Sequence, residues 1–132
     1  MSTPDPFPMI EVALKQLLER DLAGAEGKVG GDLSYDGVAD FYVWIGLVPG
    51  GASNALEGTW IVDIDVFSKG YGVSMNKALA IESVLLKPGG HRTSTMRIDS
   101  ASQNTGPADR PWDDDSVFRV GATYVFTARR SG

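Results

Sequence analysis

Cysteine is absent from this 132-residue sequence, and histidine occurs once. The first absence excludes disulfides, thiolate nucleophiles and cysteine-type zinc sites, so packing or partner subunits must hold the fold. The second leaves His91, set between Gly90 and Arg92, without a further imidazole for a metal site or a serine-type triad. No apolar run approaches the ~18 residues of a membrane span. The opening stretch from Met1 to Pro8 shows neither the basic start nor the apolar core of a signal peptide, so a soluble, cytoplasmic product is expected. Positive charge is scarce as well: 12 Lys and Arg face 17 Asp and Glu, a formal net charge of −5. That is the wrong sign for a protein whose affinity comes from neutralising phosphates, so tight general binding to nucleic acid is not expected.

With 42% hydrophobic and 22% charged residues, the composition fits one globular domain over residues 1–132. Ile10, Ala13, Leu14, Leu17 and Leu18 recur at helical spacing, with Glu11 four residues before Lys15 on another face. This predicts an amphipathic helix over Ile10 to Leu22 that starts within Asp5 to Pro8, where Asp5 can cap, and ends at Gly24 and Gly27. The glycine-punctuated stretch from Ala25 to Asp36 reads as a loop or one short strand. From Val38 to Val48 the odd positions Ala39, Phe41, Val43, Ile45 and Leu47 are apolar, the period of a strand with one buried face. Pro49 to Gly58 reads as a long flexible connection. A second strand, Thr59 to Phe67, buries Trp60, Val62, Ile64 and Val66, leaves Asp63 and Asp65 on its solvated face, and pairs antiparallel with the first. A second helix follows, capped by Ser74, apolar at Ala78, Ile81, Val84 and Leu85, and stopped by Lys87-Pro88-Gly89-Gly90. Arg92 to Ser100 reads as a weaker strand burying Met96 and Ile98, then an acidic loop from Ser100 to Asp115, then a closing strand with Phe118, Val120, Ala122, Tyr124 and Phe126 at alternate positions. The order α-β-β-α-β-β predicts an α+β fold in which helices pack on one face of a mainly antiparallel sheet.

No catalytic set accompanies these elements. Asp63 and Asp65 share one face of a strand, a geometry that can hold a divalent cation or share a proton, but neither further ligands nor a nucleophile stands beside them. Asp113-Asp114-Asp115 lacks the alternate spacing and distal glutamate of a calcium loop. Gly70-Tyr71-Gly72 lacks the third glycine of a dinucleotide fingerprint, and Gly50-Gly51 has no Walker lysine. The aromatic residues Trp44, Trp60, Tyr42, Tyr71 and Tyr124 belong in a core or a subunit interface, since a base-stacking platform comes with a basic groove. No metal or cofactor is expected. Trp112, in a polar loop, is singled out as a contact with a neighbouring subunit.

The sequence of parts, an amphipathic helix from Ile10 to Leu22, a strand into a Gly-rich segment from Phe41 to Gly51, a strand and alanine-containing helix over Trp60 to Phe67 and Ser74 to Leu86, then Gly106-Pro107 leading to a closing strand that ends at Arg129-Arg130, resembles the tail terminator proteins of long non-contractile-tailed bacteriophages. The resemblance implies a structural, non-enzymatic virion protein of the tail or neck, assembled in the host cytoplasm. It implies a hexameric ring that caps the tail tube, stops its elongation and offers a docking surface to the head connector, with DNA only passing through the channel. On that reading Pro49, Gly50, Gly51, Trp112, Asp113, Asp114, Asp115, Arg129 and Arg130 are the expected interface residues. Asp63 and Asp65 are the expected channel-facing acids, which would keep affinity for DNA weak, and the loop from Ser100 to Asp115 orders only against a neighbour. Another neck or head-completion protein is the near alternative; a small hydrolase using Asp63 and Asp65 is the distant one.

Overall fold

The computed structural model describes residues 9–33, 35–53, 57–112 and 114–130. The elements run α1 (Ile10–Asp21), β1 (Val29–Gly30), β2 (Tyr42–Ser53), β3 (Glu57–Ser68), α2 (Tyr71–Leu85), β4 (His91–Arg92), β5 (Met96–Arg110) and β6 (Phe118–Arg130). They form an α+β fold: six strands in the order β1-β2-β3-β6-β5-β4, with every pair antiparallel except β1 with β2.

The apolar positions of α1 predicted from its periodicity, Ile10, Ala13, Leu14, Leu17 and Leu18, are all buried. Burial of each large aliphatic among them contributes about 1.5–3 kcal/mol, which outweighs the lack of a side-chain cap at Met9. The expected cap Asp5 lies outside the described residues. α2 buries Ser74, Ala78, Ile81 and Leu85. Against them stand Phe41, Val43 and Ile45 of the β2 segment, Val62, Ile64 and Val66 of β3, Met96 and Ile98 of β5, and Val120, Ala122, Tyr124, Phe126 and Ala128 of β6. The alternation seen in the sequence therefore marks the face that the helices cover. Leu47 and Phe118, expected on that face, are exposed by 49% and 37%; Phe118 touches only the first turn of α2, where its ring meets that of Tyr71.

Three expectations need correction. Pro49 to Gly58 is not a loop: β2 continues to Ser53 and β3 resumes at Glu57, with Ala52 opposite Thr59 and Ser53 opposite Gly58 after an irregularity between Val48 and Ala52. Nor is Ser100 to Asp115 a loop that waits for a neighbour, since β5 runs on to Arg110 and pairs with β6 as far as Arg110 opposite Arg119. Its polar, Gly- and Pro-containing sequence suits an edge strand, where the missing N–H of Pro107 breaks no ladder and register shifts are tolerated. Lastly, α2 starts at Tyr71 after Gly70, so Ser74 is no cap. Its buried hydroxyl instead meets that of Ser68 at 2.5 Å and donates to the carbonyl of Phe118 at 2.9 Å, tying the ends of β3, α2 and β6 together.

Among the described residues the sheet is closed at neither side. β1 covers only Val43 and Trp44 of β2, and β4 covers only Ile98 and Arg97 of β5. Past these short covers, no described strand pairs with the outer edge of β2 beyond Trp44 or that of β5 from Asp99 onward.

Candidate functional site

On the face of the sheet turned away from the helices, β2, β3 and β6 bring Trp44, Asp65, Phe67 and Arg119 together, the end of β5 adds Arg110, and the segment just after it adds Trp112. Asp65 is entirely buried there. Its Oδ2 accepts from Arg119 Nε at 2.7 Å, and its Oδ1 lies 3.0 Å from Arg110 Nη1 as an ion pair without hydrogen-bond alignment. The same Arg110 Nη1 is 3.2 Å from Asp63 Oδ1, Arg110 Nη2 donates to Thr123 Oγ1 at 3.1 Å, and that hydroxyl donates to Asp63 Oδ1 at 2.5 Å. Burial pushes the Asp65 carboxyl above its ordinary pKa, against the opposing pull of Arg110 and Arg119 and with a smaller upward push from Asp63.

Above the carboxylate the guanidinium of Arg119 is enclosed by rings, 5.4 Å from the centroids of Trp44 and Phe67 and 5.3 Å from that of Trp112. Trp112 meets Phe67 edge-on at 4.9 Å. Such cation–π contacts are worth about 0.5–2 kcal/mol each, more as water is excluded. Trp44 is aimed by its own strand: it lies over Gly46, where a Cβ would come within 2.2 Å of the ring, and its Nε1 donates to the carbonyl of Gly31 at 3.0 Å.

These contacts revise the reading of the two aspartates. Asp65 does not lie on a solvated face and, being fully buried, cannot line a channel; Asp63, with 25% of its side chain exposed, keeps some surface. Two carboxylates against two guanidiniums leave the cluster without net charge, so it is not an acidic patch. A buried acid with a raised pKa flags a possible reaction site, but here both aspartates are held by arginines, and they line neither the cleft beside Arg20 and His91 nor the groove beside Pro49 and Trp60. Among the described residues no group of three or more His, Asp or Glu is placed to hold a metal ion.

The expected interface residues fall in separate places. Pro49, Gly50 and Gly51 are exposed near the tip of the β2–β3 hairpin and border a groove of about 360 Å³ with Leu47, Trp60 and Ile61. Asp114 and Asp115 are exposed in the turn before β6, where Asp114 Oδ1 accepts from the backbone and hydroxyl of Ser116 at 2.9 and 2.7 Å. Arg129 is exposed and paired with Asp99 at 3.2 Å. Trp112 packs on its own chain rather than projecting from it. Asp113 and the side chain of Arg130 lie outside the described residues. Sequence reasoning missed Arg110 and Arg119; the signal was present in Gly121, a glycine inside a strand, which marks a close approach by a neighbour.

Among the described residues no helix is long and apolar enough to cross a membrane. No family model matches the sequence, and no curated protein matches it. Among solved structures, a chain from the virion of a native gene transfer agent particle has a similar fold, with a TM-score of 0.64 and 20% identity over 93% of this chain and 95% of that one. At that identity the likeness speaks for the fold.

Proposed function

We propose that this chain is a structural virion protein whose single domain, residues 1–132, forms a closed homo-oligomeric ring, a hexamer, on the end of a tail tube. The ring stops elongation of the tube and presents the surface on which the head connector docks. One observation carries the reading: the fold of a virion component is shared over nearly the full length of both chains, so the likeness extends past a common core to the whole arrangement of elements. The open outer edges of β2 and β5 support it, because uncovered strand edges and long hairpins are surfaces for neighbours, and head-to-tail contacts between identical subunits close into rings when the rotation permits. On this reading Pro49, Gly50 and Gly51 carry contacts to the tube or a neighbour, Asp114 and Asp115 contact a neighbour, and Asp63 is the member of the aspartate pair left to face the channel. DNA passes through without being held. The hydrolase alternative loses its chemistry, because Asp63 and Asp65 serve as partners of Arg110 and Arg119.

The test is to assemble tails without the protein and with it. Omission is expected to leave tubes of uncontrolled length that fail to join heads, and electron micrographs of complete particles are expected to show one ring of this chain at the head-proximal end. Tails of normal length that join heads in its absence would overturn the proposal.

A further inference from the structure

The two ends of α2 carry opposite charge. At its C-terminal end a cleft of about 640 Å³ opens between α1 and the segment after α2, lined by Arg20, Asp21, Lys87, His91 and Arg92 among others. Arg20 is already committed: its Nε and Nη2 donate to Asp21 at 2.9 and 3.0 Å and its Nη1 donates to the carbonyl of Arg92 at 2.9 Å. Lys87 and Arg92 have no carboxylate within ion-pair distance among the described residues, although Asp21 feels Lys87 at longer range and its pKa is lowered mainly by the hydrogen bond from Arg20. Three cations against one carboxylate make this cleft a positive site on a chain of net charge −5.

The N-terminal end of α2 faces the turn before β6. Ser74 reaches the carbonyl of Phe118 there, and the rings of Tyr71 and Phe118 meet edge-on at 6.4 Å. That turn carries Asp114 and Asp115, with Asp109 on the adjoining end of β5, all exposed and none in an ion pair within 4.0 Å among the described residues, although Asp114 feels Lys69 at longer range, so three carboxylates face one cation at this end. Across the 15 residues of α2 the two poles are about 22 Å apart, too far for the acidic turn to reach the basic cleft of its own chain.

We propose that the cleft of Arg20, Lys87 and Arg92 receives the acidic turn of Asp114 and Asp115 from a second copy of this chain. The contact is head-to-tail: each subunit presents a cleft at one end and a turn at the other, the heterologous geometry that generates rings or filaments. It rests on the ring reading above and names the contact that closes the ring. Cations at the ends of α1 and α2 also complement the helix dipoles, a role that keeps them within one chain. The two roles differ in what charge reversal does.

Sedimentation at low and high salt measures the association of the wild type, Lys87→Glu with Arg92→Glu, Asp114→Lys with Asp115→Lys, and the chain carrying all four changes. The wild type is expected to self-associate and to weaken as salt rises. Each reversed pair is expected to raise the dissociation constant about tenfold or more, and the fourfold variant to recover association. Circular dichroism checks that each variant is folded; the exposed acidic turn supplies a fold-neutral reversal if the basic one unfolds. Unchanged association in the folded Asp114→Lys, Asp115→Lys variant overturns the proposal, as does a salt-insensitive wild type. If these variants fail to associate in solution yet complete tails normally, this contact is wrong while the ring stands; if the wild type forms no ring on tails, the ring reading falls.

Discussion

A Cβ built on Gly121 would come within 1.8 Å of Asp65 Oδ1, its cross-strand partner, so the buried carboxylate occupies the space that a side chain on β6 would fill. The neighbour cannot give way cheaply, because Oδ2 is anchored on Arg119 and Oδ1 sits beside Arg110. Gly121→Ala is expected to displace the carboxylate from its arginines and to cost about 3 kcal/mol, the scale for leaving a buried charge poorly paired. In an Asp65→Ala background the same substitution is expected to cost much less. Urea unfolding of the four chains in a double-mutant cycle checks the coupling.

The raised pKa of Asp65 has a definite sign for stability. A carboxyl whose folded pKa lies above its unfolded value favours folding while it is protonated, so its contribution is full below the unfolded pKa of about 3.9 and is lost as pH rises through the folded value. Asp21 works the other way: the hydrogen bond from Arg20 lowers its pKa, and its contribution is lost as pH falls through the folded value. The difference in unfolding free energy between wild type and Asp65→Asn isolates the first effect. The wild type is expected to lose stability relative to the variant on going upward from about pH 3.9; a parallel pair of curves would contradict it.

The sequence alone points Trp112 towards a neighbouring subunit, a role in which Trp112→Ala leaves the monomer folded. Its contacts with Phe67 and Arg119 change the expected outcome. Removing the ring uncovers one side of the guanidinium and part of Phe67, which is only 1% exposed, so Trp112→Ala is expected to lower stability by about 2–3 kcal/mol, somewhat below the cost for a fully buried aromatic. Thermal unfolding measures this directly, and an unchanged midpoint would return Trp112 to the interface.

Tyr124 is 1% exposed, its pKa is pushed up to about 12 by burial, and its hydroxyl lies near Gln103 without forming a well-aligned hydrogen bond. Tyr124→Phe removes an unpaired buried polar group and is expected to be neutral or stabilising by up to about 1 kcal/mol. Alkaline titration followed by phenolate absorbance is expected to lose its step near pH 12 in the variant.

Much of this fold was legible in the sequence because burial imposes a period. The helical spacing of Ile10 to Leu18 and the alternation of Val62, Ile64 and Val66 or Val120, Ala122 and Tyr124 follow from single faces meeting one core. The outer half of β5 was not legible, since Ser100 to Arg110 is an edge that the helices do not cover and so carries no apolar period. The Asp65 cluster was half visible: two aspartates at alternate positions could be seen, but Arg119 stands 54 residues away, and only the register of β3 with β6, which sets it opposite Phe67, brings it diagonally across from Asp65. The packing of Trp112 was hidden for the same reason, as its polar local sequence says nothing of Phe67 on another strand.

The position of β6 between β3 and β5 also governs how the chain must fold. β3 meets β6 along an unbroken register from Glu57 opposite Arg129 to Ser68 opposite Phe118, and all of α2, β4 and β5 intervene in sequence. Until β6 docks, β3 is an exposed edge bearing Val62, Ile64 and Val66, and the buried Asp65 has not met Arg119. Contacts so distant in sequence raise the contact order, so folding is expected to be slow and to leave that edge uncovered until β6 arrives.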